Sequence, residues 1–296
     1  MSIFFNSFKT ITGLPDFTAY VLIFLLGAAI GSFLNVVIHR IPKSESLVYP
    51  NSICPQCGSA IKPFDNIPIV SWLLLSGKCR DCKNPISRRY PLVELSTALI
   101  FLLVYWQIGF SWFLPICLVF VSAIVALVFI DAENMILPDI ITYPLLLFAL
   151  LARLIFPLFY NNSFFTDVKF FPLNLLEDYP NWFVSLLGVI LGGIAGGGFL
   201  WFVGAVWKHL RGVEAMGFGD VKMMFAVGAF LGWRATLLSI FIAAFIGAVA
   251  GILVVSKQTE KDFQTQIPFG IFLGIGSVIA LLFGEQMIRW YFETFF

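Results

Sequence analysis

Residues 19–38 read AYVLIFLLGAAIGSFLNVVI, a stretch with no charged residue in it. Roughly 20 mostly apolar residues is the length of helix that crosses the hydrocarbon core of a bilayer. Runs of the same kind recur near 92–110, 112–130, 140–159, 183–206, 235–255 and 268–284, with a shorter one at about 221–233. The pattern predicts an all-α polytopic membrane protein with about eight transmembrane helices. Composition agrees with that. Of 296 residues 59% are hydrophobic and only 12% are charged, where a soluble domain carries about 25% charged residues. The net charge of +1 gives no reason to expect a nucleic-acid partner. The first run does not read as a cleaved signal peptide. One lysine (Lys9) precedes it, no clear small-residue cleavage site follows, and it ends in His39-Arg40.

Lysine and arginine mark the cytosolic side of membrane proteins. Segment 42–90 holds seven of them: Lys43, Lys62, Lys78, Arg80, Lys83, Arg88 and Arg89. Lys208, Arg211, Lys222, Lys257 and Lys261 fall in later loops on the same side. The opposite side carries Lys9, Lys169, Arg234 and Arg289. Segment 42–90 is therefore expected in the cytosol and both termini outside, which eight spans satisfy. The chain divides into an outward N-terminus with the first helix (1–41), a cytosolic insert (42–90) and a transmembrane bundle of about seven helices (91–296). The outward loop 160–181 is turn-rich and shows no chemistry. Glycines four apart, at Gly27/Gly31, Gly188/Gly192/Gly196 and Gly247/Gly251, predict close helix packing.

The insert is proline-rich and lacks a long helical repeat, so it needs a staple. It contains Cys54-Pro-Gln-Cys57 and Cys79-Arg-Asp-Cys82, with 21 residues between the pairs. Two such pairs complete a tetrahedral four-sulfur site, which predicts a structural zinc. A redox dithiol needs only one pair, and a reducing cytosol counts against disulfides. Gly58 and Gly77-Lys78 supply turns and positive charge beside the knuckles. Cys117, alone in an apolar run, reads as packing.

Carboxylates in or beside membrane spans are expensive, and they point to function. Glu94, Asp131, Glu133, Asp139, Glu214 and Asp220 qualify. Asp131 ends the third run, a poor place for a structural carboxylate because the helix dipole repels it. Asp220 follows Met216-Gly217-Phe218-Gly219 and opens the short run, whose thirteen residues cover only about 20 Å. Both are expected at the cytosolic face. Two close carboxylates do not both ionise readily, which suits one to act as base and the other as acid. Asp139, after Pro138, reads as a helix cap. Glu133 and Glu214 read as solvated loop charge. Glu94 reads equally as a helix-start residue or as part of a polar site.

These residues together resemble the prepilin peptidases of type IV pilus and type II secretion systems. The resemblance rests on Gly31-Ser-Phe-Leu-Asn-Val-Val-Ile-His39-Arg40-Ile-Pro42, the two cysteine pairs, Arg89-Tyr-Pro-Leu-Val-Glu94-Leu, Ile130-Asp131 with Leu137-Pro138-Asp139, Gly217-Phe-Gly-Asp220-Val-Lys222 and Ile267-Pro-Phe-Gly270. It implies an aspartic endopeptidase of the bacterial inner membrane, with Asp131 and Asp220 as the catalytic pair. The expected reaction is removal of a short basic leader from prepilins and pseudopilins, after a glycine. Enzymes with the full cysteine insert also methylate the new N-terminus, using S-adenosylmethionine. No glycine-rich methyl-donor motif is visible, and Gly77 and Glu94 are the candidates for that site. A peptidase without methyl transfer stays open. A transporter with a proton relay is disfavoured, because the aspartates do not spread across the membrane.

Overall fold

A computed structural model of the chain describes residues 8, 13–49, 52–156, 179–213, 216–257 and 268–295. Most of the segment 160–181, together with Lys9, Lys169, Glu214, Lys261 and Ile267, lies outside the described residues. Within them the regular structure is helical, with two isolated β-bridges in the insert. The main helices are α1 (Asp16–Arg40), α2 (Arg89–Ile108), α3 (Leu114–Asn134), α4 (Asp139–Ile155), α5 (Asn181–Arg211), α6 (Phe218–Leu231), α7 (Trp233–Lys257) and α8 (Phe269–Phe295). They fall where the apolar runs predict them. Six of them (α1, α2, α3, α5, α7 and α8) are long and apolar enough to cross a membrane. The other two, α4 and α6, are shorter, at 17 and 14 residues.

The chain forms two compact units, residues 1–130 and 131–296. In the first, α1 packs along α2. A Cβ on Gly27 would lie 2.7 Å from the Ala98 Cα, and one on Gly31 would lie 2.7 Å from the Glu94 Cα. Backbones meet this closely because helices in lipid associate through van der Waals contact rather than through escape from water. The Asn35 side chain extends the seam by donating to the Tyr90 carbonyl at 3.1 Å. Cys117 is fully buried, as a packing residue should be.

In the second unit, α6 packs against α4 and α5. Glycine again sets the approach: side chains on Gly192 and Gly228 would each run into the other's carbonyl. Just beyond Gly193, α5 widens into a π-helical turn, Ile194–Gly198. Single π turns inside α-helices often accompany functional sites. A β-carbon on Gly247 would meet the Phe272 ring at 3.2 Å, whereas Gly251 faces open space, so only the first of that pair packs. Arg153, buried in the last turn of α4, donates to the Phe230 carbonyl near the end of α6 at 3.2 Å. That places a cation beside the unsatisfied carbonyls of a helix C-terminus.

Candidate active site and metal centre

Asp220 stands at the third position of α6, after Gly217 as the N-cap. Its carboxylate reaches back to the Gly217 amide, an arrangement that satisfies a donor left without a partner at a helix start. One Asp220 oxygen is occupied locally, and Oδ1 faces Gly270. Gly219 has a different task. A Cβ there would press to 3.0 Å on the Leu137 Cβ, so the glycine admits the 135–138 connection against the start of α6.

That connection follows Asp131. The expectation that Asp131 ends its helix needs adjustment, since α3 continues to Asn134. Asp131 is one turn from the end, and its carbonyl accepts the Met135 amide at 2.9 Å. Met135 takes the left-handed conformation (φ 54°) that closes the helix. The Asp131 carboxylate lies on the amides of Gly270 and Ile271 in the first turn of α8. Such amides lack partners within their own helix and attract negative charge.

Asp131 and Asp220 are both buried, 5% and 8% exposed. Asp131 Oδ2 has no hydrogen-bond partner among the described residues. A Cβ on Gly270 would fall 2.7 Å from this oxygen and 3.2 Å from Asp220 Oδ1, so both carboxylates close on the same side of that glycine, near enough for one water to bridge them. The site therefore has two carboxylates on different helices, brought together over a glycine whose missing side chain lets both approach.

Asp139 behaves differently from its expected role as a cap. Pro138 is the N-cap of α4 and no side chain caps that end. Asp139 instead forms an ion pair with Lys222 of α6, while its position in the first turn still suits the helix dipole. Lys222 also lies over the Tyr143 and Phe218 rings, at 5.5 and 5.3 Å.

The four cysteines of the insert come together in the first unit. Their sulfurs all lie within 4.8 Å of one another, a donor set that could hold a metal ion. The two knuckles have the same build. Cys54 and Cys79 donate their amides to Ser59 and Asn84, and accept from the amides of Gly58 and Lys83. Gly58 and Lys83 both take positive φ, +73° and +61°, and a β-bridge closes each loop, Ile53 with Ala60 and Lys78 with Pro85. Hydrogen bonds from the Ser59 hydroxyl and backbone pull the Cys57 thiol down to about 6. The amides of Cys82 and Asp81 lower that of Cys79. Thiolate is the form that binds metal. Arg80 clamps the second knuckle to Asp65 with bonds of 2.6 and 2.8 Å.

Gly77 has positive φ (+65°), and its Cα carries the Trp72 ring so closely that a Cβ would sit 2.8 Å from it. Turn geometry and packing account for the glycine. Glu94 is buried in the α1–α2 seam, where its Oε2 accepts the Ile69 amide at 2.7 Å.

Comparison with known proteins joins these two constellations. A family model described as the bacterial peptidase A24 N-terminal domain matches residues 25–108. A second, described as the type IV leader peptidase family, matches residues 118–252. The chain belongs to the type IV leader peptidase family. Similar relatives are the prepilin leader peptidase/N-methyltransferases of Pseudomonas aeruginosa and Aeromonas hydrophila. The first is 37% identical, covering 91% of this chain and 92% of the relative. The second is 38% identical, covering 96% and 97%. The Neisseria gonorrhoeae relative of the same name is 37% identical, over 78% and 80%. No solved structure matches.

Three features of this structure leave little or no signature in the sequence. Gly270 was visible only as part of a motif, with no role attached. Arg153 was hidden inside an apolar run. The Lys222–Asp139 pair joins residues 83 apart in sequence. A lone arginine in a span is a usable signal, because membrane-buried charge needs partners; a distant ion pair leaves no local trace.

Proposed function

We propose that this membrane enzyme cleaves the leader peptide of type IV prepilins with Asp131 and Asp220 as its catalytic pair, and then N-methylates the new terminus. The observation that carries the reading is the convergence of both buried carboxylates on the same side of Gly270. A water held between them gives its proton to the ionised carboxylate as its oxygen attacks the scissile carbonyl. The other carboxyl, still protonated, donates to the carbonyl oxygen as the tetrahedral intermediate forms. Collapse of that intermediate breaks the C–N bond: the departing amine takes a proton from the group that acted as base, while one hydroxyl of the gem-diol returns its proton to the group that acted as acid. Amides at the start of α8 hold Asp131 in position through this cycle. Water exclusion by the bundle strengthens each of these electrostatic contacts.

Cys54, Cys57, Cys79 and Cys82 hold a zinc ion. With four protein sulfurs no ligand position remains open, so the ion supplies folding energy rather than reaction chemistry. The excess of basic residues on one side supports a cytosolic position for the insert and both aspartates at the inner membrane. A prepilin anchored by its apolar segment presents its leader junction at that surface. S-adenosylmethionine is the methyl donor implied by the relatives' second activity.

The deciding experiment incubates the purified protein with a full-length prepilin, with and without methyl donor, and weighs the products. Loss of the leader in both arms, with one added methyl only when donor is present, is the expected result. An intact prepilin in both arms would sink the reading.

A further inference from the structure

The seam between α1 and α2 buries two polar side chains that proteolysis does not use. Asn35 is 2% exposed. Its Nδ2 donates to the Tyr90 carbonyl at 3.1 Å, which fixes the orientation of the amide. Oδ1 is therefore an acceptor, and it is buried with no donor among the described residues. Glu94, one turn along α2 from Tyr90, is 7% exposed. Its carboxylate takes the Ile69 amide at 2.7 Å and the Ser32 hydroxyl, both neutral donors. Gly31 brings the two helix backbones together at this level, so Ser32, Asn35 and Glu94 occupy neighbouring turns of one seam.

A carboxylate offers about four lone-pair sites and an amide oxygen two. Here that acceptor capacity greatly exceeds the donors supplied, and no cationic side chain is paired with Glu94 among the described residues. Buried carboxylates without a cation are costly, and costlier in a membrane. The complement that removes the imbalance is a compact cation with several N–H donors. A primary ammonium has three such donors, whereas a quaternary ammonium has none.

The Ile69 backbone adds a second observation. It is β-branched yet takes φ +63°, a conformation such residues rarely hold. Strain of this kind persists where the surroundings enforce it, and it clusters at functional sites. The Val70 amide closes this turn on the Pro68 carbonyl at 2.6 Å, and the Ile69 amide on Glu94 ties the start of the insert's short helix, Val70–Leu74, to the seam.

We propose that Glu94 and Asn35 bind a primary ammonium group in the α1–α2 seam. Resting on the N-methyltransferase reading, the ammonium has two sources: the new N-terminus of a processed pilin, or the α-amino group of the methyl donor. Both present the same chemistry to the same acceptors, so they must be separated by experiment.

The test labels the full-length protein in lipid nanodiscs with a hydrophobic carbodiimide, and follows Glu94 modification by peptide mapping. Ligands are a processed-pilin peptide with a free N-terminus, its N-acetylated form, S-adenosylmethionine, its analogue lacking the α-amino group, and sodium chloride alone. One free-amine ligand is expected to slow labelling of Glu94 by about tenfold while its blocked counterpart does not; the pair that behaves so identifies the source. Glu94→Gln should keep its metal, because the new carbonyl still accepts the Ile69 amide, yet bind the same ligand about tenfold more weakly. Asn35→Ala should weaken it in the same direction. Equal protection by blocked and free ligands, protection by sodium alone, or none by either amine overturns the proposal. A wild-type protein that transfers no methyl group would sink the N-methyltransferase reading instead, and protection of Glu94 would still decide the ammonium site.

Discussion

Asp131 and Asp220 occupy positions that local structure alone does not require to be acidic. Asp131 sits one turn from a helix C-terminus, where the dipole disfavours it, and Asp220 spends only one oxygen on the Gly217 amide. Asp131→Asn and Asp220→Asn should therefore each cut cleavage by at least about a hundredfold, since asparagine cannot carry the proton. Membrane insertion and metal content should stay as in wild type, and the double variant should be no worse than either single one. Asp139→Asn removes an ion pair whose carboxylate is half exposed. Such pairs contribute about 1 kcal/mol or less, so this variant should cleave normally; if it alone is dead, the assignment of the pair is wrong. Gly270→Ala puts a methyl group 2.7 Å from Asp131 Oδ2 and forces that carboxylate out of its place beside Asp220. Displacements near 1 Å in a catalytic group cost about a hundredfold, so kcat for prepilin cleavage should collapse with little change in thermal stability. Unchanged kcat would mean that water attacks from elsewhere. The two aspartates were legible in the sequence because charge in an apolar run is conspicuous. Gly270 was not, because the absence of a side chain means something only once the two carboxylates are known to flank it.

At the scale of the element, the insert and the bundle are held by different physics. The bundle was legible from its apolar runs, which set eight helices close to where they lie, although α8 continues to Phe295, well past the run that ends near 284. Its close approaches were only partly legible: Gly192 meets Gly228, but Gly251 has the same spacing and packs against nothing within 4 Å. Spacing gives the face of a helix, whereas the partner is fixed by tertiary structure. The insert has little apolar core, and several of its large side chains are exposed, Val48, Tyr49, Phe64 and Leu74 among them. What it does have is two matched knuckles and the Arg80–Asp65 clamp, a single bidentate pair whose arginine is half exposed. The proposed zinc site then supplies most of its folding energy. Chelation, or Ser in place of any one of Cys54, Cys57, Cys79 and Cys82, should make residues 42–90 protease-sensitive and release about one zinc per chain. The helices should stay resistant, because lipid packing rather than metal holds them. A metal-free protein whose insert resists protease as wild type does would refute the assignment.

For the whole molecule, the sequence predicts a direction through the membrane as well as a number of spans. Counting Arg40, thirteen basic residues fall on one side and four on the other, with Arg153 inside a span. Loops of this length follow the positive-inside rule, and the split is too lopsided to be reversed by one or two charges. The structure supplies exposed reporter positions on opposite ends of α2: Tyr49 in the insert, 78% exposed, and Trp112 in the turn between α2 and α3, 84% exposed. Because α2 crosses once between them, one reporter must face the cytosol and the other the outside. Trp112→Cys should react with a membrane-impermeant thiol reagent in intact cells, and Tyr49→Cys should react only after the membrane is opened. Using a new cysteine at 49 matters, since native thiols held by the proposed metal would be shielded whichever side they occupied. Labelling of position 49 from outside would invert the topology. It would also place the Asp131–Asp220 pair on the side away from a leader that is still in the cytosol, so the proteolytic assignment would fall with it.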